Sequence, residues 1–378
     1  MSRDSRNVAL DRVRTFLTLV VLLHHSVIPY THFGHTDSTS WLGFDVIVLA
    51  TDSFFMAMFF FLSGLFVWRG LERKSPSSFL RERLLRLALP GAVAAIFLIP
   101  IGYYALAVRQ TPDLQFLSFW WKTVTVGPWP SGPIWFIWLL LVFDTIATVL
   151  YRLSPALLAP IGQISRLGFE APARFWLFFV VSSEVAYLPL ILFFGGSHWL
   201  TFGPFAVQTS RILLYLCYFL IGAGVGASDF STGTLSRDGR LPKNRWSWAS
   251  ASLIFYAAMW VMIFIKRQVL NNPASLPLWY PPIYATCFVL FSVSILFAIF
   301  AFGLNSKSDR RTVLDIMQAD AYGIFLVHYP ITLWLQYFLL DQPLPAIVKA
   351  MTVFILTILL SWGVIVRLRK IPGANRVL

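Results

Sequence analysis

Arg14 and His25 stand eleven residues apart in the first membrane-length apolar segment of the chain. Eleven residues are about three helical turns, so a helix stacks the two side chains on one face, roughly 16 Å apart along its axis. That spacing puts the cation at the cytoplasmic edge of a spanning helix and the imidazole near the bilayer midplane. An ionisable group at such depth is costly, and by default it lines a protein interior, a cavity or a reaction path. His24 points about 80° away from the Arg14 face and is the weaker candidate.

Other residues could join this chemistry. Arg83 and Arg86, in the run Arg81-Glu82-Arg83-Leu84-Leu85-Arg86 before the third apolar segment, are spaced i,i+3 and share a helical face. Two guanidinium forks so placed can grip one polyphosphate; as a plain alternative they flank a membrane helix on its positive side, with Glu82 placed to pair with Arg86. His328 precedes Pro330, which kinks a helix and frees backbone carbonyls; it is either a substrate-facing group or a histidine satisfied by a neighbouring helix. Asp52 and Glu184 also fall inside apolar segments, as candidates for a polar interior or for structural pairs. Ser63-Gly64 reads as a small-residue contact between helices. His32 and His35 with Asp37 match no strong metal-ligand spacing, so no metal is expected. Trp120, Trp121, Trp129, Trp135 and Trp138 crowd one stretch, as an interfacial aromatic belt or as a surface on which a sugar stacks, with Trp135 the candidate substrate contact.

The elements that must position these groups are membrane helices. The 378 residues are 57% hydrophobic and only 12% charged, with a mean hydropathy of +0.70, far from an average soluble domain. Apolar segments of spanning length recur at 15–31, 46–68, 88–108, 133–150, 175–194, 210–227, 248–265, 283–302, 322–340 and 347–366. The expected fold is therefore an all-α polytopic membrane protein of about ten transmembrane helices, one domain over 1–378. With an even helix count both termini share a side. Twenty-four of the thirty Lys and Arg fall at the termini and in the loops of that side, leaving Arg109, Lys122, Arg211, Lys266, Arg267 and Lys349 for the other. The bias puts both termini in the cytoplasm. It also accounts for the net charge of +13, so the lipid bilayer and not nucleic acid is the expected partner of the basic loops. Cys217 and Cys287 lie within predicted helices and read as packing residues. The first segment is long, holds two histidines and lacks a small-residue cleavage site, so it is not expected to be a cleaved signal peptide.

In order along the chain, several motifs resemble the membrane-bound acyltransferase 3 family. They are Leu10-Asp11 and Arg14 with His25, Phe59 to Phe66 closing the second helix, Arg83 and Arg86, Trp135-Phe136-Ile137-Trp138, and Tyr322 to Ile331. The compact ten-helix chain is similar to the glucan-modifying (OpgC-like) branch. Asp52 stands farther from the aromatic Ser-Gly motif than the aspartate of many members, so no family role passes to it.

The resemblance implies an O-acyltransferase of the inner (plasma) membrane. It would move an acetyl or succinyl group from cytoplasmic acyl-CoA, a co-substrate and not a bound cofactor, to a hydroxyl of an extracytoplasmic or membrane-linked carbohydrate. His25 and Arg14 would be catalytic, Arg83 and Arg86 would hold the CoA phosphates, and His328 and Trp135 would meet the acceptor. His25 could act as general base or carry the acyl group itself. A transporter or flippase for a glycan or lipid-linked saccharide shares the polytopic plan, the intramembrane histidine and the basic loops, and is the competing expectation.

Overall fold

In hydrocarbon a backbone finds no hydrogen-bond partner but itself, so long apolar runs become helices. The computed structural model describes residues 8–34, 36–228, 230–271, 275–306 and 312–373. Its long helical stretches are α1 (Val8–Val27), α2 (Leu42–Gly64), α3 (Pro76–Gln110), α4 (Trp135–Leu153), α5 (Pro172–Phe194), α6 (Ile212–Ala227), α7 (Arg245–Phe264), α8 (Tyr280–Asn305), α9 (Ala321–Leu339) and α10 (Ala346–Leu368). The protein is an all-α polytopic membrane protein. Nine helical stretches among the described residues are long and apolar enough to cross a membrane, and α9 falls outside those nine. Tyr322, His328, Tyr329, Thr332 and Gln336 make α9 more polar than its neighbours. It can carry them because α1, α3 and α10 pack around it, burying His328 and Thr332 completely.

α3 begins earlier than its apolar run suggests, at Pro76, so Arg81, Arg83 and Arg86 lie inside the helix and not before it. Two π-helical turns, Leu84–Ala88 and Ala94–Leu98, interrupt it just ahead of Pro90 and Pro100. A proline cannot donate to the carbonyl four residues back. For Pro100 that carbonyl is Ile96, and the indole of Trp120 donates to it instead, at 2.8 Å.

Small residues bring α2 and α6 into contact. A Cβ added at Gly64 would stand 2.1 Å from the carbonyl oxygen of Phe219, and one at Gly222 would stand 2.2 Å from that of Phe61. The Ser63-Gly64 motif thus serves close backbone approach, where van der Waals packing and not water expulsion drives association. Phenylalanines fill the layer beside this contact: Phe60 packs on Phe143 and Phe61 on Phe179. Cys217 and Cys287 are free thiols packed against the same core.

Polar fastenings hold the ends. Arg12 binds both carboxylate oxygens of Asp315, at 2.6 and 2.7 Å, pinning the start of α1 to the short helix Val313–Met317. That contact and the hydrogen bonds from Thr312 hold the Asp315 carboxyl below the usual carboxylate range. A short antiparallel hairpin, β1 (Trp199–Phe202) and β2 (Phe205–Gln208), precedes α6. Gly203, at φ +52°, opens its two-residue turn, a position that glycine adopts without strain. Hydropathy alone did not announce this hairpin, although Gly203-Pro204 between two aromatic-containing tetrapeptides is a turn signal.

Candidate active site

The last turns of α1 carry His24 and His25 to the wall of a cavity of about 440 Å³. Across it α2 supplies Asp52, α4 supplies Trp135, and α6 supplies Tyr215 with Arg211 at its head; Trp199 and Gln208 of the hairpin close one side. The histidines hydrogen-bond and pack near the middle of the neighbouring helices, not at their ends. Thr51, the partner of His24, is the tenth of the 23 residues of α2, and His328, beside His25, is the eighth of the 19 residues of α9.

Local hydrogen bonding fixes two of the three imidazoles. The Thr51 hydroxyl donates to the Ile47 carbonyl at 2.8 Å, so His24 Nδ1, 2.7 Å from Thr51 Oγ1, is the donor there. On α9, His328 Nδ1 lies 2.7 Å from the Phe325 carbonyl. A carbonyl only accepts, so that nitrogen carries the proton and Nε2 is bare.

The third imidazole, His25, stands edge-on between His328 and Tyr329, with ring centroids 5.3 and 5.2 Å away. Its backbone carbonyl accepts from Gln336 Nε2 at 2.8 Å. His25 Nδ1 and His328 Nε2 are both buried and have no hydrogen-bond partner among the described residues. His328 is thus placed behind His25 and does not itself line the cavity.

The remaining expected residues fall in two groups. Trp135 joins the cavity wall, its ring stacked near Tyr215 at 6.0 Å and 27°, whereas Trp121 is exposed. Arg14 is on the helix of His25 but not in its cavity: its side chain is 46% exposed and lies 3.4 Å from Asp11. Arg83 and Arg86 are held by different carboxylates. Arg83 turns inward, 3.4 Å from the fully buried Asp144 of α4, with its side chain 25% exposed; Arg86 is 64% exposed and pairs with Glu82 at 3.0 Å. Glu184, on α5, is not part of the cavity wall. His32 binds Asp45 and Asp37 binds Lys349, so these two loop residues are engaged separately; His35 lies outside the described residues. No group of three His, Cys, Asp or Glu among the described residues could hold a metal ion.

Three cavity residues were missed or undervalued by sequence reasoning. His24 shares the wall with His25, because a cavity this wide admits side chains about a quarter of a turn apart. Asp52 lies in it too. Arg211, read as a basic flank, reaches Asp52 across 159 positions of the chain, with Nη2 2.6 Å from Oδ2 and Nη1 3.0 Å from the backbone carbonyl. A cation at the head of an apolar segment looks like an interfacial residue until its partner is known.

Residues 7–366 match the acyltransferase 3 family, described as an acyltransferase domain. Among curated proteins the chain is similar to the glucans biosynthesis protein C of Salmonella gallinarum (strain 287/91 / NCTC 13346) and to that of Salmonella agona (strain SL483). Each is 24% identical over 344 residues, covering 87% of this chain and 83% of the relative. No solved structure matches the chain.

Proposed function

Because the chain belongs to the acyltransferase 3 family, we propose that it transfers an acetyl or succinyl group from acyl-CoA to a carbohydrate hydroxyl, with His25 as general base. The protein is a multi-pass membrane O-acyltransferase; the donor, the acceptor and the sidedness are the proposed parts. The observation that carries the reading is the cavity itself: an imidazole inside a helix bundle shares about 440 Å³ with Trp135, Trp199, Tyr215 and Gln208. Aromatic faces and an amide suit a sugar, which offers an apolar ring face and many hydroxyls. The name of the Salmonella relatives supports a glucan as acceptor.

In this reading the histidine acts through Nε2, because Nδ1 is sealed inside the protein. The acceptor hydroxyl gives its proton to Nε2 while its oxygen attacks the thioester carbon. The carbon–sulfur bond then breaks, and the proton passes to the leaving CoA sulfur. His328, with its own proton held by Phe325, and Tyr329 fix the ring of His25 from behind. The positive-inside bias supports cytoplasmic termini, an inner (plasma) membrane setting and a donor arriving at the side of Arg14, Arg83 and Arg86. Arg83 and Arg86 exchange their carboxylates for CoA phosphates on this view.

Mass spectrometry of cell-envelope glycans with and without the gene tests the proposal. Loss of an acetyl or succinyl mass increment on one glycan, restored by the gene, supports it. An unchanged glycan profile overturns it.

A further inference from the structure

In the pair Arg211–Asp52 the arginine side chain is only 10% exposed, while the carboxylate, 43% exposed, opens onto the cavity. Drawing a guanidinium out of water gains little over an apolar residue of the same size, so pairing alone does not explain its presence. Both line the cavity of His24 and His25. The arginine is fixed as few surface arginines are. Its Nη2 donates to Asp52 Oδ2, its Nη1 donates to the Asp52 backbone carbonyl, and the guanidinium lies 5.1 Å over the ring of Phe288. Tyr215 stands with it on the cavity wall. A guanidinium carries five N–H donors, so donors remain beyond the two that Asp52 takes. Arg211 closes the 3-10 turn Thr209–Arg211 that leads into α6.

A fixed cationic donor on a cavity wall shared with a candidate base is the arrangement that stabilises developing negative charge. We propose that Arg211 is a catalytic residue whose guanidinium binds the acyl carbonyl oxygen as it gains charge, and that Asp52 is the positioning residue that holds it there. The inference rests on the acyl-transfer reading above. As the acceptor oxygen bonds to the acyl carbon, the carbonyl electron pair moves onto its oxygen, which Arg211 meets. The hydroxyl proton has gone to His25. When the pair returns, the carbon–sulfur bond breaks and the CoA sulfur leaves with that proton. Asp52 balances the arginine in the resting site, so its charge is called on when the oxyanion forms and not merely when an anion enters.

The test uses the purified full chain with labelled acetyl-CoA or succinyl-CoA and a short β-linked glucan. Arg211→Gln is expected to lower kcat by about 10²–10³-fold, with KM for both substrates within a few-fold of wild type. Arg211→Lys keeps the charge without the fork and is expected to lose less, about tenfold. Asp52→Asn is expected to fall between them, and millimolar guanidinium is expected to restore part of the kcat of Arg211→Gly. Arg211→Lys serves as the folded variant if the glutamine form does not stay monodisperse. Unchanged kcat in both Arg211→Lys and Arg211→Gln, or a loss carried by KM alone, overturns the assignment. Absence of transfer by wild type with every donor and glycan would instead sink the acyl-transfer reading on which it rests.

Discussion

In the cavity, Arg211 reaches back 159 positions to find Asp52, and His24 reaches 27 to find Thr51. Along the basic flank, Arg86 reaches only four residues to Glu82 and Arg14 only three to Asp11. The first kind of contact exists only once the bundle has assembled, and it buries the arginine and the imidazole. The second forms on an isolated helix turn, in contact with water, where such a pair is worth about 0.2–0.5 kcal/mol. Long-range interior pairs hold a site to one geometry; short-range exposed pairs are easily exchanged. A reaction centre calls for the first and a docking point for a polyphosphate tolerates the second. Arg83 stands between them, near the flank in sequence but turned onto the buried Asp144.

Substitutions can break this contrast. The largest effect is expected at His25: His25→Ala should lower transfer by about 10²–10⁴-fold with near-normal yield of monodisperse protein. His24→Ala should be milder, since Thr51 already takes its Nδ1. A dead His24 variant beside an active His25 variant would exchange their roles. Next comes Trp135→Ala, expected to raise the acceptor KM by about three- to tenfold, the worth of one aromatic contact, with the donor KM unchanged. A donor effect at Trp135 would move the sugar out of this cavity.

The flank should respond more weakly and less uniformly. Arg86→Ala is expected to weaken acyl-CoA affinity a few-fold without changing protein yield, and Arg86→Lys to restore it only in part. Arg83→Ala should cost yield as well as donor affinity, because it leaves the Asp144 carboxylate buried without its cation. Adding Asp144→Asn to Arg83→Ala should recover the yield but not the affinity. Unchanged donor affinity in both alanine variants would remove these arginines from the donor site.

The smallest effect concerns the fastening of α1. Asp315 has a folded-state pKa below its unfolded value, so its contribution is present above the ordinary carboxylate range and is lost as pH falls through the folded pKa. Detergent-solubilised wild type should therefore lose a few degrees of Tm on acidification that Asp315→Asn, less stable at neutral pH, does not lose. Parallel acid profiles of the two proteins would show that the contact with Arg12 contributes nothing.

What could be read in the sequence follows the same division. Helix positions were legible because hydropathy is a local property; even α9, too polar to stand among the nine apolar spans, betrayed itself between Tyr322 and Leu340. His25 and Trp135 were legible because an imidazole or a tryptophan inside an apolar run is informative by itself. Asp52 was legible only as a polar group in an apolar run, and Arg211 and Thr51 were not, because their meaning lies in partners that only tertiary packing selects. The early start of α3 was hidden by its charged first turns, and the inward turn of Arg83 by an aspartate sixty-one positions away. The shared helix face of Arg14 and His25 was sound geometry, yet Arg14 bends to Asp11 and leaves the cavity to Arg211.

The proposed transfer of an acyl group to a sugar turns on one imidazole, that of His25. Its most direct test gives purified wild type and His25→Ala the same labelled acetyl-CoA or succinyl-CoA and the same β-linked glucan, and counts label on the glycan. Ester-linked label is expected with wild type and background alone with His25→Ala, at equal amounts of monodisperse protein. Equal labelling by the two proteins would contradict it, as would wild-type protein that carries glucan across a liposome membrane and leaves it unlabelled.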